Sequence, residues 1–271
     1  MNHLLIRILA GGSLCLAAAG VAPGSAAEPG EPGELATHSE PFAVVELYTS
    51  EGCSSCPPAE AVLNGLHRDA QANGTRVFTL AFHVDYWNRL GWTDPFSDAA
   101  YSDRQRRYAA AFRSRSIYTP QMIVNGRRQF VGSDARRAQG EVDGALRGDG
   151  RPSLGVGVAA AASQTDAGDA VLEVRWRVDE VPASASLHLV VVEDGLVTDV
   201  PRGENRGRTL RHDGVVRVLD TRALSDHDGS ARLALPERID LTQASVVAFV
   251  QDRRSFEVLG AHRVGVVDEA E

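Results

Sequence analysis

This 271-residue chain contains no lysine, only three cysteines and no apolar run long enough to cross a membrane. All of its permanently basic side chains are arginines, and acidic residues outnumber them to give a formal net charge of −8. That balance argues against nucleic acid or an anionic membrane as a partner. With so few cysteines, no network of disulfides can substitute for hydrophobic cores, which the chain is long enough to build.

The N-terminal segment has the pattern of a secretory signal peptide. Arg7 precedes a run rich in leucine and alanine over residues 8–20, and Ser25-Ala26-Ala27 provides small residues at a cleavage position. We predict that residues 1–27 are the leader and that cleavage follows Ala27. The mature protein is then expected to be periplasmic or secreted, with no membrane contact once the leader is removed.

Removal of this leader would also remove Cys15, so that Cys53 and Cys56 would be the only thiols of the mature protein. Residues 28–40 are rich in proline, glycine and glutamate. Such a composition cannot bury enough apolar surface to order itself, and we predict a flexible lead-in.

The Cys-x-x-Cys pair lies where a predicted strand is followed by a predicted helix. An apolar, β-branched run begins at Phe42, and apolar residues recur at helical spacing after Pro57 and Pro58. Prolines suit the first helical turn, where free N–H groups and the helix dipole stabilise a thiolate. We therefore predict Cys53 as the exposed attacking thiol and Cys56 as the buried resolving thiol of a redox pair.

The next segments continue an alternation of strands and helices. Residues 76–84 predict a second buried strand, parallel to the first because a helix connects them. Residues 117–131 predict a hairpin around Asn125-Gly126, and Ser133-Asp134 predicts the cap of a final helix that runs to Leu146.

This order of elements resembles the thioredoxin fold. The Cys-x-x-Cys after the first strand matches the active site of that superfamily, and Thr119-Pro120 before the hairpin resembles its cis-proline. The resemblance implies that Thr119 presents its backbone to the extended chain of a substrate, and that no dissociable cofactor is needed.

A narrower resemblance covers nearly the whole mature chain. It is to the uncharacterised secreted bacterial family known as domain of unknown function 1223, which implies a fold but no settled activity. The segments that carry it are Val44-Val45-Glu46-Leu47-Tyr48-Thr49-Ser50, His83-Val84-Asp85-Tyr86-Trp87 and Gly91-Trp92.

The second half of the chain predicts mostly strands. Turn residues at 148–152 indicate a boundary, and beyond it short alternating runs recur at the spacing of a β-sandwich. The predicted fold class is an α/β thioredoxin-like domain over residues 41–150, with a helical insertion over 86–116, followed by an all-β sandwich-like domain over 151–271. The polar residues 203–208 are a predicted contact surface for the first domain.

Several side chains are expected to meet at one edge of the first sheet. Parallel strands end at the same edge, so Cys53, the end of the second strand and Thr119-Pro120 should converge there. His83 and Asp85, spaced i and i+2, would share a face if the strand continued. They could hydrogen-bond each other, orient a substrate, tune Cys53 or bind a metal.

Glu46 and the insertion allow competing interpretations. Glu46 could shuttle protons beneath the resolving thiol, or form a plain ion pair or helix cap. In the insertion, Asp94-Pro95 predicts the start of a helix. Its arginines, Arg104, Arg106 and Arg107, are expected on a solvated face rather than in a nucleic-acid site.

We therefore expect an exported thiol–disulfide oxidoreductase that acts on protein or small-molecule disulfides and dithiols. Cys53 and Cys56 would be catalytic, and a separate redox partner would recycle them. One alternative is a periplasmic copper- or other metal-binding protein that uses Cys53, Cys56 and His83. The other is a non-enzymatic interaction module with a structural disulfide.

Overall fold

The computed structural model describes residues 35–148, 153–164 and 170–268. These residues form three α-helices, two 3₁₀ helices and fourteen strands. The α-helices are α1 (Pro57–Asn73), α2 (Ala99–Ala111) and α3 (Ala135–Leu146), and the 3₁₀ helices are Asp85–Leu90 and Leu241–Gln243. The strands are β1 (Ala43–Thr49), β2 (Val77–His83), β3 (Gln121–Val124), β4 (Arg128–Val131), β5 (Val156–Gln164), β6 (Ala170–Val178), β7 (Ala185–Glu193), β8 (Leu196–Asp199), β9 (Thr209–His212), β10 (Val215–Ala223), β11 (Asp228–Ala234), β12 (Ala244–Asp252), β13 (Val258–Gly265) and β14 (Val267–Asp268).

The central strand β1 is buried on both faces because helices cover both. Its residues Ala43, Val45 and Leu47 pack with apolar side chains of α1 and α3. The alternate residues Val44 and Tyr48 pack on the other side, in a core that includes tyrosines of α2. The strict alternation of the two sets follows from the two-residue period of a strand.

One large mixed sheet connects the two halves of the chain. Its strand order is β13-β12-β7-β10-β2-β1-β3-β4, with β1 parallel to β2 and antiparallel to β3. The link between the halves is β10, which lies parallel to β2 with Val215 opposite Ala81. The large sheet therefore includes strands from both sides of the boundary predicted after residue 150, and the described residues from Leu35 onwards form one compact unit.

Two smaller sheets complete the fold. A four-stranded sheet, β11-β6-β5-β14, packs against β7 and β12 of the large sheet, with Leu172, Val174, Leu187 and Val246 in the shared core. The remaining sheet is the two-stranded pair β8-β9. The architecture is thus mixed α/β, with few helices and one dominant sheet.

Most predicted elements are confirmed, and two are corrected. Helix α1 starts at Pro57 with Cys56 as its N-cap, and α3 is capped by Asp134. Helix α2, however, starts at Ala99 after Asp98, whose carboxylate accepts from the backbone of Ala100, so Asp94 is not its cap. Strand β9 (Thr209–His212) was not predicted.

Candidate functional site

Cys53 and Cys56 form a disulfide at the start of α1. The amide of Cys56 donates to the carbonyl of Cys53 (3.1 Å), and the amides of Ala59 and Glu60 donate to the carbonyl of Cys56 (2.8 and 3.1 Å). These bonds join the two-cysteine turn directly to the first turn of the helix. Backbone hydrogen bonds therefore attach the disulfide directly to the start of α1.

Both cysteines are fully buried, so the prediction of an exposed Cys53 is wrong. The reason is a segment from the second half of the chain, residues 200–208 between β8 and β9, which we call the cover loop. Asn205 Nδ2 donates to the carbonyls of Glu51 (2.8 Å) and Cys53 (2.9 Å). The amide of Ser54 donates to Glu204 of the same loop (3.0 Å).

The contact predicted for residues 203–208 is thus present, and its target is the cysteine motif itself. Gly203 allows the close approach, because a Cβ at this position would lie 3.0 Å from Cβ of Trp92. Within the segment from Cys53 to Cys56, the two cysteines are buried and Ser54 and Ser55 are exposed.

Thr119 and Pro120 lie beside the disulfide, as predicted, and the peptide bond between them is cis. The Thr119 hydroxyl lies 3.4 Å from Sγ of Cys53 and accepts a hydrogen bond from Nε1 of Trp87 (2.8 Å). The hydroxyl of Thr119 therefore contacts the sulfur of Cys53.

Glu46 lies in a separate buried network. Arg104 binds its carboxylate through Nε (2.7 Å) and Nη2 (2.9 Å), and Tyr108 donates to it (2.5 Å). Tyr48 also donates to it (3.0 Å), and Gln251 of β12 accepts from Arg104 (3.2 Å). Glu46 therefore has the ion-pair role. The expectation of a solvated Arg104 is wrong, because this side chain neutralises a buried carboxylate; Arg106 and Arg107 are exposed as expected.

His83 pairs with Asp94 and not with Asp85. The strand ends at His83 and the chain enters the 3₁₀ helix Asp85–Leu90, so the two residues no longer share a face. Asp85 instead accepts from Ser102 (2.5 Å). Nδ1 of His83 lies 2.8 Å from Oδ2 of Asp94, and both side chains are fully buried.

A second histidine, His212 at the end of β9, faces this pair. Its Nε2 lies 3.2 Å from Oε1 of Glu51, and its Nδ1 lies 3.1 Å from Oε2 of Glu60. The two imidazole rings are 5.1 Å apart, and Phe96 contacts both rings edge to face. Among the described residues, one group of three metal-binding side chains has ligand atoms within 4.8 Å of one another: Glu60, His83 and His212.

The charges of this cluster are strongly coupled. Burial disfavours the charged form of His212, but the carboxylates of Glu51 and Glu60 outweigh it and raise its pKa to about 10. For Glu60, burial acts to raise the pKa, and the interaction with His212 lowers it overall. Asp94 behaves likewise, with the neighbouring His83 lowering its pKa against the effect of burial. The apo cluster is thus a buried anionic site that holds a proton on His212.

Sequence reasoning missed four of these residues. Glu51 and Glu60 flank the motif as ordinary acidic residues of a turn and a helix, and Asp94 was assigned to a helix cap. His212 lies 161 positions from Glu51 and in a strand that was not predicted. No local signal could identify them, because only the pairing of β10 with β2 brings β9 to this edge.

A comparison with protein families identifies the family of this chain. A family model described as "Protein of unknown function (DUF1223)" matches residues 44–251. The chain belongs to this family. The match includes β1, the cysteine motif, the cover loop and β12, so the family spans both halves of the large sheet.

Two solved structures have a similar fold. A crystallised protein of Agrobacterium tumefaciens is 26% identical, with a TM-score of 0.57, over 86% of this chain and 98% of the other. HBP35 of Porphyromonas gingivalis is 14% identical, with a TM-score of 0.55, over 86% of this chain and 78% of the other. At that identity, the second likeness shows the fold alone.

No curated protein matches this chain significantly. In the part of the chain that the structure describes, none of the helices is both long and apolar enough to span a bilayer.

Proposed function

We propose that this DUF1223 protein is an exported thiol–disulfide oxidoreductase with a thioredoxin-like site. The observation that carries the proposal is the Cys53–Cys56 disulfide at the N-terminus of α1, with the hydroxyl of Thr119 and the cis peptide bond to Pro120 against it. A structural disulfide elsewhere in a fold would not need this combination of helix start, adjacent hydroxyl and cis-proline.

The exchange reaction would run in two steps. A substrate thiolate attacks Sγ of Cys53, the Cys53–Cys56 bond breaks, and Cys56 leaves as a thiolate that takes up a proton. The second substrate thiolate then attacks the substrate sulfur that is bound to Cys53, so that the substrate disulfide forms and Cys53 leaves as a thiolate. Two electrons pass from the substrate dithiol to the protein, and the reverse sequence reduces a substrate disulfide.

Recycling requires a second thiol–disulfide protein that accepts or supplies these two electrons. In this proposal both proteins act outside the cytoplasm, in a periplasmic or extracellular compartment, which the leader-like pattern of residues 1–27 supports. Thr119 would hold the backbone of an extended protein substrate.

Access to Cys53 is the main structural requirement. Because both sulfurs are buried, exchange requires the cover loop to move away from the motif. Three hydrogen bonds attach the loop to the motif: Asn205 donates two of them and Glu204 accepts the third. These bonds can break without unfolding of the main hydrophobic core.

A redox titration tests the proposal. The purified protein is equilibrated in glutathione buffers, and the two thiols gained on reduction are counted by alkylation and mass spectrometry. We expect a midpoint between about −270 and −120 mV, the range of exchange catalysts. A midpoint below about −300 mV would identify a structural disulfide and overturn the proposal.

The two cysteine variants separate the roles of the sulfurs. Cys53→Ser should abolish reduction of a model disulfide substrate, whereas Cys56→Ser should accumulate mixed disulfides through Cys53. Ser55→Ala is the matched control in the same turn, since its exposed hydroxyl only neighbours Cys53 at 3.4 Å. Exchange that persists unchanged in Cys53→Ser would contradict this mechanism.

A further inference from the structure

The cluster behind the cysteine motif contains two buried nitrogen atoms with no assigned purpose. Nε2 of His83 and Nδ1 of His212 have no hydrogen-bond partner among the described residues, although both rings are almost completely buried. Buried polar atoms are satisfied in the great majority of cases, so two such atoms in facing rings require an explanation.

The other nitrogen of each ring is held by a carboxylate. Nδ1 of His83 lies against Asp94, and Nε2 of His212 lies against Glu51. An ionised carboxylate only accepts, so each of these nitrogens is the donor. An imidazole binds a metal in its neutral form, in which the lone pair is on the nitrogen opposite the donor, here the unpartnered one.

Glu60 provides the third donor atom. Its Oε1 accepts from the hydroxyl of Thr49 (2.6 Å), which leaves Oε2 beside Nδ1 of His212 at 3.1 Å. That close approach is an ion pair whose geometry does not make a hydrogen bond. Glu60, His83 and His212 each have one ligand atom within 4.8 Å of those of the other two.

We propose that Glu60, His83 and His212 bind one divalent transition-metal ion of the zinc type. Two histidines and one carboxylate are a known ligand set for such ions, with a further position left for water or another ligand. Asp94, Glu51 and Thr49 would orient the ligands, as carboxylates and hydroxyls do behind metal-bound histidines.

The dimensions and the charge agree with this assignment. Zinc ligands about 2.1 Å from the ion lie about 3.4 Å apart in a tetrahedron, and the three ligand atoms already lie within 4.8 Å of one another, so small side-chain movements suffice. Three buried acidic side chains, Glu51, Glu60 and Asp94, surround the space, and a dication there would compensate their negative charge.

This site differs from the sulfur-based metal site considered from the sequence. His83 belongs to both, but its free nitrogen is grouped with Glu60 and His212, and the described metal-binding group includes neither cysteine. The sulfurs bind each other in the disulfide. The ion would instead join α1 and β2 of the first half to β9 of the second half.

The first test is direct binding. The purified protein, oxidised and treated with chelator, is titrated with Zn²⁺ by calorimetry, and its metal content is measured after gel filtration. We expect one Zn²⁺ per chain. Co²⁺ should give an absorption spectrum of nitrogen and oxygen ligands, without a sulfur charge-transfer band. Absence of stoichiometric binding would overturn the proposal.

Ligand variants locate the site. His83→Gln and His212→Gln should each weaken Zn²⁺ binding by more than about 100-fold, and Asp94→Asn, which only loses an orienting contact, by about 10- to 100-fold. His188→Gln is the control, because His188 is an equally buried imidazole in β7 that bonds Thr221 instead. Circular dichroism verifies that each variant is folded.

The cysteine pair provides the opposite control. The double variant Cys53→Ser/Cys56→Ser should retain its single Zn²⁺, because neither sulfur is a ligand. Loss of the ion in that variant, with retention in His83→Gln and His212→Gln, would assign the metal to sulfur and overturn the proposal. Neither result depends on the redox midpoint, so the metal site and the proposed exchange activity fail or succeed separately.

Discussion

Two clusters of buried charged side chains, one around Glu46 and one around Glu60, differ in how completely their polar atoms are hydrogen-bonded. Around Glu46, the guanidinium of Arg104 and the hydroxyls of Tyr48 and Tyr108 satisfy both carboxylate oxygens. Around Glu60, two imidazole nitrogens remain without a partner in the described structure. The carboxylate of the first cluster is thus fully hydrogen-bonded, whereas the second cluster contains buried nitrogen atoms that are not.

The difference indicates different roles. A closed ion-pair network has no capacity left for a ligand, and its value is to fix α2 on the sheet. Burial, followed by the charge of Glu46, raises the pKa of Tyr108 well above its usual value, so this hydroxyl stays a donor. An incomplete cluster carries an energetic cost in the apo protein, and such costs are concentrated at functional sites.

The largest effect is expected from opening the closed cluster. Arg104→Met removes the only cation bound to Glu46 in the described structure and leaves a buried carboxylate. We expect a loss of about 3–5 kcal/mol of unfolding free energy, measured by urea denaturation. Arg106→Met is the control: its exposed pair with Asp103 should contribute no more than about 1 kcal/mol. Equal losses in the two variants would refute the contrast between a network and a surface pair.

A smaller effect is expected from weakening the contact between the cover loop and the cysteine motif. Asn205→Ala removes two donors to the backbone of the motif, each worth about 1 kcal/mol, so opening should become easier. The disulfide should then be reduced by dithiothreitol about ten-fold faster or more, as followed by alkylation and mass. Arg206→Ala, an exposed residue of the same loop, should leave the rate unchanged.

If Asn205→Ala and the wild-type protein are reduced at the same rate, the cover loop does not control access to the sulfurs.

The smallest effect concerns Glu204 and pH. Hydrogen bonds from Ser54 lower the pKa of this exposed carboxylate below 4.5. A lowered pKa means that the contact with Ser54 is fully present above pH about 4.5 and is lost as the pH falls through the lowered value. Reduction by a phosphine, which is effective in acid, should accelerate a few-fold more in the wild type than in Glu204→Gln as the pH falls. Parallel pH profiles for the two proteins would exclude this contribution.

The sequence was sufficient for the local parts of the site. The prolines after Cys56 predicted the helix start, Asn125-Gly126 predicted the hairpin, and Thr119-Pro120 was correctly placed beside Cys53. Each of these depends on residues that are close in sequence, or on the rule that parallel strands end at one edge.

The rest depended on long-range placement. The partner of His83 was mispredicted because β2 ends at this residue and the chain turns into a 3₁₀ helix. Asp94 and not Asp85 therefore reaches the imidazole ring. The burial of Cys53 and the role of His212 both depend on contacts between the two halves of the chain, among them the pairing of β10 with β2. No periodicity within either half of the chain encodes which edge of one half meets the other.

The position of the cover loop also imposes an order of events on the newly made chain. Asn205 follows Cys53 by 152 residues, so the ribosome completes the cysteine motif long before it makes the segment that covers it. Any oxidant that meets the emerging chain therefore encounters two accessible thiols, whereas a reagent that meets the finished protein encounters a covered disulfide. The same two sulfurs are thus open to chemistry early in the life of the molecule and protected later.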